Sequence, residues 1–245
     1  MIEYLDRRVL AGFRCVDGIT GLSVVDPLPI GSPQLQLTQN RSGIYAVLDG
    51  PGMRALTTQF LPVTPWPAGA SFEISIQDPR HRYLPRRAQI QVPQAPAVAS
   101  APQNVVLYPG PAAAVEPNWA AVYVSVVNTA AIPQGLPWPV LQVLDTSTNP
   151  ATVLATAAGD GRGQALLAVP GLGLQVSSSG GGAVTEKTTP ATVQAWFDPN
   201  VSYQPKGWVP NPDTMLGNLA TLKTGTQTIQ IGPGLRFFVT ISISP

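Results

Sequence analysis

Three stretches recur in the same order in the two halves of this 245-residue chain, and that duplication constrains the fold more than any other feature. FRCVDGITGLSVVDPLPI (13–30) has its counterpart in VYVSVVNTAAIPQGLPWPVLQVL (122–144): a strand, a polar turn, then a Pro-interrupted strand. LQLTQNRSGIYAVLDGPG (35–52) matches VLATAAGDGRGQALLAVPG (153–171), two extended runs around a Gly turn. ISIQDPRHRYLP (74–85) matches VQAWFDPNVSYQP (193–205), with Asp78-Pro79 against Asp198-Pro199 and Tyr83-Leu84-Pro85 against Tyr203-Gln204-Pro205. A chain that repeats its strands and turns in this way builds one supersecondary plan twice.

The strands themselves are short and alternate with period two, as half-buried strands do. They are predicted at 8–16, 22–30, 35–38, 44–48, 72–76, 87–92, 222–231 and 235–244, the last nearly the longest. Pro27 and Pro29 confine the second to a sheet edge, because proline has no amide to donate. Leu136 to Gly171 is expected to form a β-meander, with turns at Asn149-Pro150 and Gly159-Asp160-Gly161, where the chain needs preset or positive φ. No segment carries helical periodicity. The long Pro/Gly-rich stretch 49–70 reads as a packed loop or contact surface, and the Pro/Ala-rich stretch 93–102 as a semi-rigid linker. The expected organisation is a first domain at 1–95, a linker at 96–104, and a second domain at 105–245 with a flexible insertion at 172–190 around Ser177-Ser178-Ser179-Gly180-Gly181-Gly182.

Composition removes several function classes. Charged residues are 11% of the chain and the net charge is +1, so no general attraction to nucleic acid or to an anionic membrane is expected. Short uncharged side chains lose little when buried against a neighbour, which suits a subunit of an assembly. Cys15 is the only cysteine and His81 the only histidine, which excludes an intrachain disulfide, a Cys-based zinc site and multi-histidine metal sites. Cys15 lies in an alternating run and reads as a small core residue. Ser-His-Asp and Cys-His catalysis would have to use His81. Met1 to Arg8 places acids and arginines where a signal peptide has apolar residues, and no run of about 18 apolar residues occurs. Synthesis in the cytoplasm is the expectation, followed by release only as part of a virion or particle.

Taken together, Val16-Asp17-Gly18-Ile19-Thr20-Gly21, Ser42-Gly43-Ile44-Tyr45, Asp160-Gly161-Arg162-Gly163 with Ala165-Leu166, and Tyr83-Leu84-Pro85 resemble the transthyretin-like, carboxypeptidase-regulatory-type β-sandwich. The resemblance covers most of both halves and implies an all-β protein of two tandem Ig/transthyretin-like β-sandwich domains. With the connector Val105-Val106-Leu107-Tyr108-Pro109, the tandem pair also resembles accessory proteins of phage tails and phage-tail-like contractile injection particles. That likeness implies a non-enzymatic structural or adaptor role beside other structural proteins of a large assembly, self-association included. Some related adhesin modules cross-link Lys to Asn or Asp, but no Lys precedes Lys187, so the first domain cannot.

The residues singled out for partner binding are Trp66, Trp138, Arg80, Arg82, Arg86 and Arg87. Trp66 and Trp138 each sit in Pro-Trp-Pro, a rigid setting that serves carbohydrate stacking, protein anchoring or simple packing of a lid on a core. The arginines beside Tyr83 suit paired contacts with carboxylates on a partner, or an arginine-lined turn. Asp145 and Asp160 read as turn residues rather than calcium ligands. No catalytic, cofactor or metal site is expected. A carbohydrate- or surface-binding module using Trp66, Trp138 or Trp208 is the alternative, and an enzyme with a site made only on folding the third.

Overall fold

The computed structural model describes residues 9–58, 67–94, 101–172, 176–177, 185–186, 188–203 and 208–244. Trp66 and most of the stretches 93–102 and 172–190 therefore lie outside the described residues. The chain divides into two compact units: residues 1–17, 21–79 and 85–107 form the first, and 18–20, 80–84 and 108–245 the second. Both are β-sandwiches.

The first unit holds β1 (Ala11–Asp17), β2 (Ile30–Gly31), β3 (Gln36–Gln39), β4 (Ile44–Asp49), helix α1 (Arg54–Thr58), β5 (Ala70–Ile76), β6 (Arg86–Val92) and β7 (Gln103–Leu107). One sheet runs β3-β4-β1-β7 and the other β2-β5-β6. Alternation puts Phe13, Cys15, Tyr45, Val47, Ile74, Ile90 and Leu107 in the interior, each at most 5% exposed. The Phe13 and Tyr45 rings stack 5.2 Å apart across the β1–β4 pair. The Tyr45 hydroxyl accepts from the Leu28 amide (2.9 Å) and donates to its carbonyl (3.1 Å), which pins the proline-broken second segment to the core. As the prolines require, that segment contributes only the two-residue edge strand β2.

The second unit holds β8 (Ala120–Asn128), β9 (Val140–Asp145), β10 (Thr152–Ala158), β11 (Gln164–Val169), the two-residue pair β12 (Val176–Ser177) and β13 (Thr185–Glu186), β14 (Thr189–Phe197), helix α2 (Pro212–Gly217), β15 (Lys223–Ile231) and β16 (Arg236–Ile243). Its sheets run β10-β9-β14-β15 and β11-β8-β16. Between them lies an apolar core that includes Val122, Val124, Leu141, Val193, Phe197 and Ile241. Burying a side chain of this size contributes about 1.5–3 kcal/mol. Asn211 caps α2 by accepting from the Asp213 amide, and Met215 of that helix covers Trp196 and Val140 on the outer sheet face.

Setting the two units strand by strand makes the duplication explicit. The first strand pairs antiparallel with the fourth and parallel with the seventh in both: β1 with β4 and β7, β8 with β11 and β16. The second, fifth and sixth form the opposing sheet in both. Only the third strand differs, joining the fourth strand's sheet in the first unit (β3) and the second strand's sheet in the second (β10).

Two expectations are corrected here. The stretch 136–171 is not a meander: β9 and β10 pair, but β11 crosses to the other sheet. Residues 105–107 are not the start of the second domain. They belong to β7, which pairs in parallel with β1 and completes the first sandwich, so the boundary lies at Leu107/Tyr108 and residues 103–104 of the supposed linker are strand. The all-β expectation holds: among the described residues the α-helices α1 and α2 have five and six residues, too short to show a helical period.

Candidate interaction surface

The repeated turn between the third and fourth strands shows how local sequence sets the loops of both units. In the first, Asn40 Oδ1 accepts from the Ser42 and Ile44 amides, both at 2.9 Å, and Gly43 takes φ +76°. In the second, Asp160 Oδ1 accepts from the Arg162 and Gln164 amides at 2.8 and 2.9 Å, and Gly163 takes φ +78°. Asp160 is thus a backbone ligand of its own turn, as its glycine neighbours imply. Asp145 likewise accepts from the Ser147 hydroxyl (2.6 Å) and amide (2.8 Å), bonds that hold its carboxyl below the usual carboxylate range. Among the described residues, no group of three His, Cys, Asp or Glu is placed to hold a metal.

The arginines do not form one patch. Arg86 falls at an inward position of β6, in phase with Ala88, Ile90 and Val92, and is 2% exposed. Its guanidinium donates to the Val106 carbonyl, and its Nε to the Arg87 carbonyl at 3.2 Å, so it ties β6 to β7 across the corner of the first sandwich. The expectation that Arg86 contacts a partner is overturned by this burial. Gln103 reinforces the same corner, pairing with the amide and carbonyl of Gln91 at 2.9 and 3.0 Å in place of a neighbouring strand. Arg87 is ion-paired with Glu73 across β5–β6 at 3.3 Å. Arg82 lies over the Tyr83 ring, 5.7 Å from its centroid, and Arg80 is exposed.

Trp138 is half-buried with φ +57°, its indole against the Asp160–Gly163 turn: a Cβ on Gly161 would sit 3.5 Å from the ring. Of the three uses open to Pro-Trp-Pro, packing on the chain's own turn is the one this geometry shows. Trp119 and Trp208 are half-buried and Trp196 is buried. Cys15 is fully buried, and burial pushes its thiol up to about 12, against a smaller opposing pull from the Arg86 guanidinium.

Sequence reasoning missed the most exposed aromatic side chain among the described residues. Phe238 of β16 is 82% exposed and stacks on Tyr123 of β8, its cross-strand neighbour, with centroids 5.1 Å apart. The signal was there: in FFVTISI, Val239, Ile241 and Ile243 take the inward positions, which leaves Phe238 facing out. Beside the two rings is a pocket of about 300 Å³, rimmed also by Pro111, Ser125, Gln164 and Thr240. Of the other exposed large apolar residues, Val153 (48% exposed) lies in β10 and the two most exposed stand in loops. Leu22 (69% exposed) and Ile132 (75%) occupy the same connection in the two units, between the first and second strands, each closed by one isolated bridge, Val16–Ser23 and Val127–Gly135. The edge of β16 is less open than its sequence implies, because β15 runs close beside it. A Cβ on Gly225 would lie 2.7 Å from Ile241 Cγ2 and 2.9 Å from the Ser242 carbonyl.

No protein-family model matches the chain, and no curated protein matches it in sequence. Among solved structures, the Bacillus anthracis TIE protein is similar at 10% identity and a TM-score of 0.28, over 96% of this chain and 34% of that one. A streptococcal ancillary pilin is similar at 9% identity and a TM-score of 0.25, over 86% of this chain and 50% of that one. The chain thus spans a third to a half of those proteins, and likenesses this distant do not bear on its function.

Proposed function

We propose that the chain is a non-enzymatic structural or adaptor subunit that works by fitting against other proteins, in a phage tail or phage-tail-like contractile injection particle. The observation that carries this reading is the pair Leu22 and Ile132: a duplicated sandwich presents a large apolar side chain at the same loop in both copies. One exposed apolar residue is ordinary on a soluble surface, but a repeated one is a repeated contact point. The 11% charge content supports it, since an uncharged surface is desolvated cheaply when a neighbour docks. Contact would be made by loop tips and sheet faces rather than by strand addition at β16, whose edge is crowded by β15. The particle type rests on the sequence resemblance alone.

The test is incorporation. Particles assembled in cells carrying Leu22→Ser with Ile132→Ser are purified and compared with wild type by quantitative mass spectrometry. The proposal expects the wild-type chain at fixed stoichiometry and the double variant depleted at least about tenfold, the effect of about 1.4 kcal/mol of lost contact energy, while its melting temperature is unchanged. Equal incorporation of both, or no wild-type chain in purified particles, would overturn it.

A further inference from the structure

The outward face of the three-stranded sheet β11-β8-β16 carries two adjacent rows with different chemistry. Phe238 and Tyr123 are paired across β16 and β8, and Tyr123, half-buried, stacks against Phe238, which is 82% exposed to solvent. Two residues further along each strand, Thr240 is paired with Ser125 and Ser125 with Gln164, which sets two hydroxyls and an amide side by side. Successive same-face residues of a strand are about 6.6 Å apart, so an aromatic platform is followed at that distance by a polar one. All of these residues line the pocket of about 300 Å³, at the small end of the volumes typical of ligand sites.

Three properties narrow what fits there. The lining residues include no Lys, Arg, His, Asp or Glu, so nothing compensates a phosphate, carboxylate or ammonium, and the ligand is neutral. The backbone of β8 is already paired on both sides, so the floor offers side chains only and cannot capture an extended peptide through ladder bonds. The side chains of Ser125, Thr240 and Gln164 make no hydrogen bond among the described residues, so their donors and acceptors remain available to a ligand. A pyranose ring joins one flat C–H face to a rim of uncharged hydroxyls, and a two-ring oligosaccharide repeats that pattern on the length scale of the two rows.

We infer that this pocket is a binding site for a neutral oligosaccharide, one ring packed against the exposed Phe238, which Tyr123 backs, and the next bonded to Ser125, Thr240 and Gln164. The site goes beyond the structural role proposed above and stands without it, since it shares no residue with the loop tips. It would give the chain a hold on a glycan surface.

The test uses the full chain and saturation-transfer NMR with isothermal titration, against maltotriose, cellotriose, N-acetylchitotriose and a β-galactobiose. A sialylated trisaccharide and an uncharged proline-rich decapeptide serve as the contrasting probes. The expected result is weak binding of at least one neutral sugar, reduced about tenfold or more by Phe238→Ala, the scale of an aromatic stacking contact, and clearly reduced by Thr240→Val with Ser125→Ala. Because Phe238 is 82% exposed, Phe238→Ala should fold, which the melting temperature checks. The inference is overturned if no neutral sugar in the panel binds, if binding survives Phe238→Ala unchanged, or if only the decapeptide or the sialylated sugar binds.

Discussion

Replacing Gly163 by alanine should be among the most damaging single-methyl changes in this protein, and comparison with its repeat partner makes the reason measurable. Gly163 sits at φ +78°, where a non-glycine residue costs about 1–2 kcal/mol. A Cβ built there would lie 2.5 Å from the Val126 carbonyl oxygen and 2.7 Å from that of Leu136, both backbone atoms that cannot rotate away. Relief requires the turn to move by nearly an ångström, which stretches the Val126 amide to Gly163 carbonyl bond (2.8 Å) and the Leu136 amide to Val126 carbonyl bond (2.9 Å). With about 1 kcal/mol for each weakened bond, the total comes to about 3–4 kcal/mol. Gly43→Ala meets the same φ penalty but contacts of 3.0 Å (Val25 Cα) and 3.1 Å (Val24 carbonyl), so about 2–3 kcal/mol is expected. Gly52→Ala, at φ +72° with nothing within 4 Å, isolates the backbone cost alone, about 1–2 kcal/mol. Urea unfolding of the three variants gives the order directly. If Gly163→Ala costs no more than Gly52→Ala, the close packing of this turn against β8 and the connection at Leu136 is wrong.

Arg86→Ala should destabilise the first sandwich by about 2–4 kcal/mol in a denaturant titration, because it strands the Val106 carbonyl and empties a buried volume; a change under 0.5 kcal/mol would return Arg86 to the surface. Cys15 should resist alkylation in native buffer at pH 8 and react at once in denaturant, since its thiol is held near 12. The same group is more easily ionised when unfolded, at about 8.5. Its contribution to stability should therefore be intact below that pH and decline as pH rises toward 12, a slope that Cys15→Ala removes. Asp160→Ala, which loses two amide bonds, should cost about 1–2 kcal/mol, with Asn rescuing most of it and Leu none.

Much of this architecture was legible because its signals are local. The Asn40 and Asp160 turns, the proline-limited second strand and the three repeated stretches follow from residues close together in the chain. β7 was not legible in that way. Val105-Val106-Leu107 is a short apolar run after a proline-rich stretch, and what makes it a strand is a parallel partner some ninety residues earlier, Cys15 to Asp17. The repeat itself held the clue, since β16 ends the second unit by the same parallel pairing. The switch of the third strand between sheets was equally hidden, because alternating apolar residues pair as well on either side. Arg86 was misjudged by residue type: its phase with Ile90 and Val92 marked it as inward, and counting charges overrode the period. Phe238 was passed over for the tryptophans, although period two places it outside.

The central claim, that this is a duplicated sandwich whose work is done by contact within an assembly, is tested most directly by cryo-electron microscopy of particles released from cells that encode the chain. The account predicts density for two seven-stranded sandwiches, residues 103–107 closing the first, with the loops bearing Leu22 and Ile132 seated against neighbouring subunits. Well-resolved particles without this density, or with both loops facing open solvent, would contradict it.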